Sequence, residues 1–388
     1  MALPENIRKA LIAGGINLVF DWYNSDPDMY NPTGFDGELP LIVAAGAKHV
    51  RLPISMDIIE DGTTGKVRTD RYADLLKFLT LAKSHGLVVI VDMHNTGMKE
   101  PGDADWTDDY MGQLTSPEVR ARHLSLLTDL AGRLGKDADL DWTVLAPANE
   151  PIFTTGNKAI WYAHQKTLIP AMRAVAPGLV LVSMANDWQG IEATLQEPSL
   201  PFADDRVIVD CHFYEPMGIT HPKKGKEAAV TYPGVYQTWR GSELWDKSRI
   251  EKLFIELAAW RTKHNVFVHF SEIGTKCSVP ETVRAAYLSD VVSILRGHVF
   301  GYTVYDWRTS KAHNFGIKMH PAVVRAVFTV TAPPVEPPPV EPPPPPPPVD
   351  PPPTTPLTEA QIRAIVADEV KRALAELFAP ILNALAVG

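Results

Sequence analysis

The chain is poor in cysteine, in basic residues and in long apolar runs, and each shortage excludes a class of protein. Its 388 residues include two cysteines, Cys211 and Cys277. Two are too few for a disulfide framework or for a metal site built from thiolates alone, so we expect free thiols. Acidic residues outnumber basic ones by 46 to 37, which gives a net charge of −9. That charge argues against a nucleic-acid or anionic-membrane partner, because both are held mainly by clusters of lysine and arginine.

No apolar run reaches the 18 residues of a membrane-spanning helix, so no membrane span is expected. The apolar stretch at 10–20, ALIAGGINLVF, follows Arg8 and Lys9, as the core of a signal peptide would. We interpret it instead as the approach to the first strand, because it continues into the β-rich sequence INLVFDW. No export signal is recognised, and the sequence leaves the localisation open.

Proline, by contrast, is abundant and divides the chain into three parts. Sixteen of the 24 residues at 333–356 are proline, which favours an extended polyproline II linker of about 75 Å. Residues 1–332 are predicted to form one globular domain. Residues 357–388 carry an apolar residue every three or four positions, which predicts an amphipathic helix. A lone helix cannot bury such a stripe, so we expect it to self-associate or to dock on a protein partner.

Within the globular part, short β-rich runs alternate with helical patterns. Eight strands with intervening helices in about 330 residues predict a (β/α)8 TIM barrel. The pattern for the fifth helix is the weakest. A doubly wound open sheet is the alternative, but neither a GxGxxG nor a P-loop pattern follows any strand. The predicted strands are 15–21, 47–52, 87–93, 142–148, 179–184, 206–212, 265–271 and 299–305.

The predicted strands end on polar or aromatic residues. In a barrel of this kind the carboxyl ends of the strands and the loops after them form the active site, so we expect these side chains to converge at one mouth. They are Arg51, His94, Asn95, Asn149, Glu150, His212, Tyr214, Glu272 and Trp307.

Side-chain alternation along a strand sharpens this expectation. With a period of two, Glu150 shares a face with Ala148, and Glu272 shares a face with Phe270. We expect both glutamates to face one groove. No set of metal ligands at a known spacing occurs, so no metal or other cofactor is predicted, although a histidine–carboxylate metal site stays open as an alternative.

Two glutamates across a groove are the minimum apparatus for cleaving a glycosidic bond. Arg51 and Tyr214 would hold Glu272 ionised, whereas Glu150 follows the apolar sequence VLAPA and would carry the proton. Asn149 would bind a sugar hydroxyl, and Trp307 would form the floor under the sugar ring. A non-catalytic carbohydrate-binding or structural barrel is the competing interpretation.

This set of residues, from Arg51 to Trp307, resembles that of glycoside hydrolase family 5, the cellulase family. The resemblance covers residues from about 13 to 328, and NEP at 149–151 looks like the family's acid/base motif. It implies that Glu150 is the acid/base and Glu272 the nucleophile of a retaining double displacement, with the carboxyl groups about 5–5.5 Å apart. Three residues depart from the family pattern: Pro147 lies inside a predicted central strand, and Ser271 and Ile273 flank Glu272 where we expect a glycine and an aromatic residue.

The substrate is less well defined by the sequence. Trp22 and Trp188 follow predicted strand ends and are candidates for stacking on sugar rings. We expect internal cleavage of a β-1,4-glucan outside the cell. Mannan, xyloglucan and β-1,3/1,6-glucan remain open as alternatives.

Overall fold

The computed structural model describes residues 3–18, 37–62, 64–95, 114, 116–152, 158–238, 241–308 and 314–329. The predicted linker at 333–356 and the predicted helix at 357–388 therefore lie outside the described residues. So do Trp22 and the side chain of Asn95.

Eight parallel strands close into a barrel in the order β1–β10–β9–β6–β5–β4–β3–β2, and strands β7 and β8 form a separate antiparallel hairpin. The predicted (β/α)8 barrel is confirmed, and every predicted strand overlaps an observed one. The strands are β1 (Gly15–Asn17), β2 (His49–Ser55), β3 (Val88–Asn95), β4 (Thr143–Ala146), β5 (Val180–Met184), β6 (Val207–Phe213), β7 (Gly234–Thr238), β8 (Gly241–Trp245), β9 (Val268–Ile273) and β10 (Gly301–Val304).

Helices connect the strands and cover the barrel. The weak fifth pattern corresponds to α7, a helix of only six residues. No helix of the described ranges is both long and apolar enough to cross a bilayer. The helices are α1 (Glu5–Ala13), α2 (Leu39–Ala45), α3 (Met56–Ile59), α4 (Thr69–Ser84), α5 (Pro117–Asp137), α6 (Lys158–Val175), α7 (Ile191–Gln196), α8 (Met217–Thr220), α9 (Lys247–His264), α10 (Glu281–Gly297) and α11 (Pro321–Phe328).

The barrel wall separates two apolar layers. On β3, Val89 and Val91 face outwards and pack in the layer that α4 and the other helices cover, whereas Val88 and Ile90 face the interior. The same inward row carries polar groups on neighbouring strands, because Val88 pairs with His49 and Ile90 pairs with Arg51. The barrel interior is therefore aliphatic at β3 and polar at β2, and Arg51 of this polar part lies at the mouth.

A β-bulge in β9 decides where Glu272 points. Cys211 of β6 pairs with Phe270, but the next residue, His212, pairs with Glu272, so Ser271 is an extra residue in the ladder. Phe270 packs in the outer layer. Strict alternation would have placed Glu272 beside it, so the prediction that these two share a face is wrong. The bulge turns Glu272 into the mouth.

The segment after β4 also differs from the sequence prediction. Strand β4 ends at Ala146, so Pro147 lies outside the ladder and removes no strand hydrogen bond. Its carbonyl instead accepts a hydrogen bond from His123 Nε2 at 2.9 Å. Glu150 has a φ of 43°, in the left-handed region that non-glycine residues rarely adopt. Its direction is therefore set by a strained turn rather than by strand alternation.

Candidate active site

Arg51 is the centre of the hydrogen-bond network at the barrel mouth. Its guanidinium donates to Asn17 Oδ1 at 3.0 Å, Glu272 Oε1 at 2.6 Å and Asn149 Oδ1 at 2.5 Å, and it forms an ion pair with Asp92 at 3.0 Å. The side chain is 1% exposed. A buried cation of this kind balances the buried carboxylates around it and joins strands β1, β2, β3 and β9 to the turn after β4.

Glu272 is held as an anion. Its Oε1 accepts from Arg51, and its Oε2 accepts from the Tyr214 hydroxyl at 2.8 Å. Burial alone would raise the pKa of Glu272, but the charges of His212 and Arg51 and the Tyr214 hydrogen bond outweigh it and lower the pKa to about 2. Glu272 is therefore ionised at neutral pH, with both oxygens fixed in direction.

Glu150 lies opposite in a different environment. Its side chain is 17% exposed, and its Oε1 is 2.8 Å from His212 Nδ1. Its backbone N–H donates to Gln189 Oε1 at 2.6 Å, which holds the strained turn in place. One oxygen of Glu150, one oxygen of Glu272 and a ring nitrogen of His212 all lie within 4.8 Å of one another. The two glutamates that the sequence singled out thus meet at one point.

His94 and Asn149 form a second line of contacts beside Glu272. The Asn149 oxygen accepts from Arg51, so its amide nitrogen donates to His94 Nε2 at 3.2 Å. His94 Nδ1 then donates to Asp92 Oδ2 at 2.7 Å. This direction of donation fixes His94 as the Nδ1–H tautomer.

Trp307 does not join the cluster. Its ring is 4% exposed and packs in the outer layer, and its indole N–H donates to Glu38 Oε2 at 2.6 Å. A covered ring cannot carry a sugar, so the prediction of Trp307 as the floor is wrong. Tyr305, two residues earlier, instead packs with Phe315 next to Tyr214.

Asp306, between these two aromatic residues, is a buried carboxyl group that the sequence did not point to. Neither of its carboxyl oxygens has a hydrogen-bond partner among the residues that the structure describes. Burial and the nearby charge of Glu272 raise the pKa of Asp306 to about 9. It is therefore neutral at pH 7 and adds no second negative charge beside Glu272.

Trp188 lies at the mouth of the barrel, in the turn after β5. Asp187, Trp188 and Gln189 have φ values of 63°, 59° and 55°, and this turn leaves Trp188 49% exposed while Gln189 reaches Glu150. Trp22 and the side chain of Asn95 fall outside the described part of the chain.

Sequence reasoning missed Asp92, Asp210, Gln189 and Ser271. The first two were detectable, because each stands two residues before an inward-facing histidine in an apolar strand and so shares its face. Gln189 and Ser271 were not, since a left-handed turn and a β-bulge place them.

The arrangement suits a reaction that needs an attacking anion and a proton donor on one substrate. Glu272 supplies a fixed negative charge, and Glu150 shares a polar contact with an imidazole. One oxygen of each glutamate lies within 4.8 Å of the other, so both carboxyl groups can reach the same substrate atom or its neighbour.

Comparison with known proteins adds independent information. The sequence model described as Cellulase (glycosyl hydrolase family 5) matches residues 15–311. Cellodextrinase A of Ruminococcus flavefaciens is 25% identical over 240 residues, 62% of this chain and 68% of that protein. Endoglucanase C of Acetivibrio thermocellus is 26% identical over 298 residues, 70% of this chain and 83% of that protein.

Solved structures agree with the fold. Thermotoga maritima Cel5A, solved in complex with mannotriose, superposes with a TM-score of 0.66 at 19% identity, over 83% of this chain and 99% of that chain. At this identity the likeness concerns the barrel alone.

Proposed function

The chain belongs to glycosyl hydrolase family 5, the cellulase family, and from this premise we propose that it cleaves β-1,4-glucan internally with retention of configuration. The observation that carries the proposal is the approach of Glu150 and Glu272 to within 4.8 Å, with Arg51 and Tyr214 both donating to Glu272. The substrate class is supported by the curated relatives, which are a cellodextrinase and an endoglucanase.

In the first step Glu272 attacks the anomeric carbon while Glu150 gives its proton to the departing glycosidic oxygen. The carbon–oxygen bond breaks, and a covalent glycosyl–enzyme ester forms on Glu272. In the second step a water attacks the same carbon while Glu150, now ionised, takes its proton, and the ester bond to Glu272 breaks. Two inversions at one carbon give net retention.

Arg51 and Tyr214 would act mainly on the nucleophile. Both donate to the charged form of Glu272, so they orient its oxygens before attack and stabilise the carboxylate when the ester bond breaks. Asn149, held by Arg51 and His94, would bind a sugar hydroxyl close to the reacting carbon.

The test is a reducing-sugar assay on β-1,4-glucan, mannan, xyloglucan and β-1,3/1,6-glucan, with the first-formed anomer followed by NMR. We expect release from β-1,4-glucan, with the β-anomer appearing first. Faster release from mannan would replace the glucan assignment, and mannan is included because Thermotoga maritima Cel5A was solved with mannotriose. An α-anomer appearing first would contradict retention.

Trp188 is proposed as a stacking platform for a sugar outside the reacting subsite, because it is 49% exposed and precedes Gln189, which contacts Glu150. Trp188→Ala is expected to raise KM for a long glucan about tenfold, the effect of losing about 1.4 kcal/mol of binding free energy. Hydrolysis of a short aryl glycoside should change little.

Steady-state kinetics on both substrates checks this expectation. Trp260→Ala is the matched control, because Trp260 lies on α9, whose carboxyl end is at the opposite end of the barrel from the mouth. Equal KM values for Trp188→Ala and the wild type on the long glucan would remove Trp188 from the substrate path.

A further inference from the structure

Behind Glu150 runs a continuous line of hydrogen bonds that ends in the barrel interior. Glu150 Oε1 is 2.8 Å from His212 Nδ1, His212 Nε2 is 2.9 Å from Ser271 Oγ, and Ser271 Oγ is 2.6 Å from Asp210 Oδ2. His212, Ser271 and Asp210 are 5%, 1% and 2% exposed. The proposed mechanism makes no use of Asp210 or Ser271, although a buried carboxylate has a large desolvation cost unless it is paired.

The groups around Asp210 fix the direction of every hydrogen bond in this line. The Ser271 backbone N–H donates to Asp210 Oδ1 at 2.9 Å. Gln189 accepts from the Glu150 backbone N–H through Oε1, so its amide nitrogen faces Asp210 Oδ2 at 3.1 Å and donates. Asp210 thus acts as an acceptor through both oxygens, which makes the Ser271 hydroxyl a donor to it as well.

The direction of the bond from Ser271 to Asp210 determines the direction of the bond between Ser271 and His212. A hydroxyl has one proton, so when Ser271 donates to Asp210 its oxygen is left to accept from His212 Nε2–H. With its proton on Nε2, a neutral His212 presents the lone pair of Nδ1 to Glu150. The contact between Nδ1 and Oε1 is then a hydrogen bond only if it holds a further proton, on the nitrogen or on the oxygen.

We propose that Asp210 and Ser271 are positioning residues that keep the proton of His212 on Nε2 and thereby retain the catalytic proton in the contact between His212 and Glu150. The inference rests on the proposed acid/base role of Glu150. Loss of that proton would set the Glu150 carboxylate against an imidazole lone pair. Relief would require the Nδ1–H tautomer, and Ser271 would then have to turn away from Asp210. The hydrogen bonds of Asp210 and Ser271 therefore raise the pH at which the Glu150–His212 pair loses its proton.

Glu272, His269 and Arg51 also face His212 or Asp210. None of these three residues is changed in the variants proposed below. Glu272 Oε2 lies 3.8 Å from His212 Nδ1 and also favours a proton there. His269, on β9, lies 3.4 Å from Asp210, and Arg51 on β2 contributes a positive charge to it. Burial opposes the charged form of His212, but Glu272, Glu150 and Asp210 outweigh it, so its pKa is raised.

Two substitutions, Ser271→Ala and Asp210→Asn, change these hydrogen bonds and leave Glu150, Glu272 and His212 in place. Ser271→Ala removes the hydroxyl and frees His212 to take its proton on Nδ1. We expect the alkaline limb of kcat/KM against pH to move down by about one unit, with the value on the plateau within a few-fold of the wild type. Ser271→Thr keeps the hydroxyl, so its alkaline limb should lie at the same pH as in the wild type.

Asp210→Asn should act in the same direction and more strongly. Asparagine offers one acceptor oxygen where the carboxylate offers two, so in either orientation its NH2 group faces a donor, the Ser271 N–H or the Gln189 amide. The carboxylate charge that holds the Ser271 hydroxyl as a donor is lost as well, which allows the Nδ1–H tautomer of His212. Ser183→Ala is the matched control, because it removes a buried barrel hydroxyl that donates to the Ile208 carbonyl, and its profile should not shift.

The tautomer itself is measured by 15N NMR of the histidine ring nitrogens, without any assay of activity. We expect His212 to be protonated on Nε2 in the wild type. Protonation of a neutral His212 on Nδ1 in the wild type would overturn the proposal even if no variant folds. So would unchanged alkaline limbs in both Ser271→Ala and Asp210→Asn. If the wild type hydrolysed no glycan, the proposed function would fail, and the NMR result would still decide the inference.

Discussion

Replacing Glu272 by glutamine is expected to lower kcat on every glycoside substrate by about 10⁴-fold or more, because an amide cannot form the glycosyl ester. Glu150→Gln should behave differently. On polysaccharide the substitution should lower kcat by about 10²–10⁴-fold, the contribution of a general acid. On an aryl glycoside whose phenolate leaves without protonation, the first step should stay fast and the ester should accumulate.

This difference gives a direct chemical readout. Azide needs no general base, so it should attack the accumulated ester in Glu150→Gln and release a β-glycosyl azide, which mass spectrometry and NMR identify. Glu272→Gln forms no ester and should give no such product. Glu197→Gln is the control for losing a buried carboxylate, since Glu197 is 3% exposed and accepts hydrogen bonds from Ser199. Glycan binding without hydrolysis, the same in the wild type and in both variants, would support the non-catalytic barrel, whereas full activity of both variants would show that neither glutamate is catalytic.

Arg51→Met is expected to lower the free energy of unfolding near pH 7 by about 3–5 kcal/mol, the effect of breaking a buried ion pair by removing one partner. Methionine fills a similar volume but leaves Glu272 and Asp92 without the cation that lies 2.6 and 3.0 Å from them. Urea unfolding of wild type and variant measures the loss.

The pH dependence of this loss has a definite sign. The pKa of Glu272 in the folded chain, about 2, lies below its unfolded value of about 4.3. Its ionisation therefore stabilises the fold above about pH 4.3, and this contribution is lost as the pH falls towards 2. Removing Arg51 takes away one of the charges that lower this pKa. The difference in free energy of unfolding between the wild type and Arg51→Met should thus be largest near neutral pH and should become smaller as the pH falls.

Arg68→Met is the control for removing an arginine as such. Arg68 pairs with Asp70 at 2.7 Å, but the two side chains are 36% and 61% exposed. An exposed pair contributes less than about 1 kcal/mol. An equally small loss for Arg51→Met would show that Arg51 is not the counter-ion on which the site depends.

Much of the site could be anticipated because a barrel fixes which residues meet. Once eight β-rich runs were recognised, their carboxyl ends had to share one rim, and the polar residues found there included His94, Asn149, Glu150, His212 and Glu272. The order of these strands around the barrel follows the chain, so no long-range pairing had to be guessed.

The orientation of individual side chains was harder to anticipate. Alternation predicted that Glu272 lies with Phe270, yet Phe270 packs under the helices and Glu272 lies in the mouth. The position of Trp307 at a strand end suggested a sugar platform, yet its indole donates to Glu38, which is 269 residues away along the chain. Both errors come from treating the end of a strand as if it continued the regular ladder.

The amino-acid sequence by itself determined the barrel, the family and the list of polar residues at its rim, because strand periodicity and strand order are local properties that a parallel barrel converts into proximity. Only the tertiary structure decided which of those residues face one another. The bulge at Ser271, the left-handed turns at Glu150 and at 187–189, and the burial of Asp210 depend on how neighbouring strands register when the barrel closes. That register is set by contacts between distant segments, which no single stretch of sequence contains.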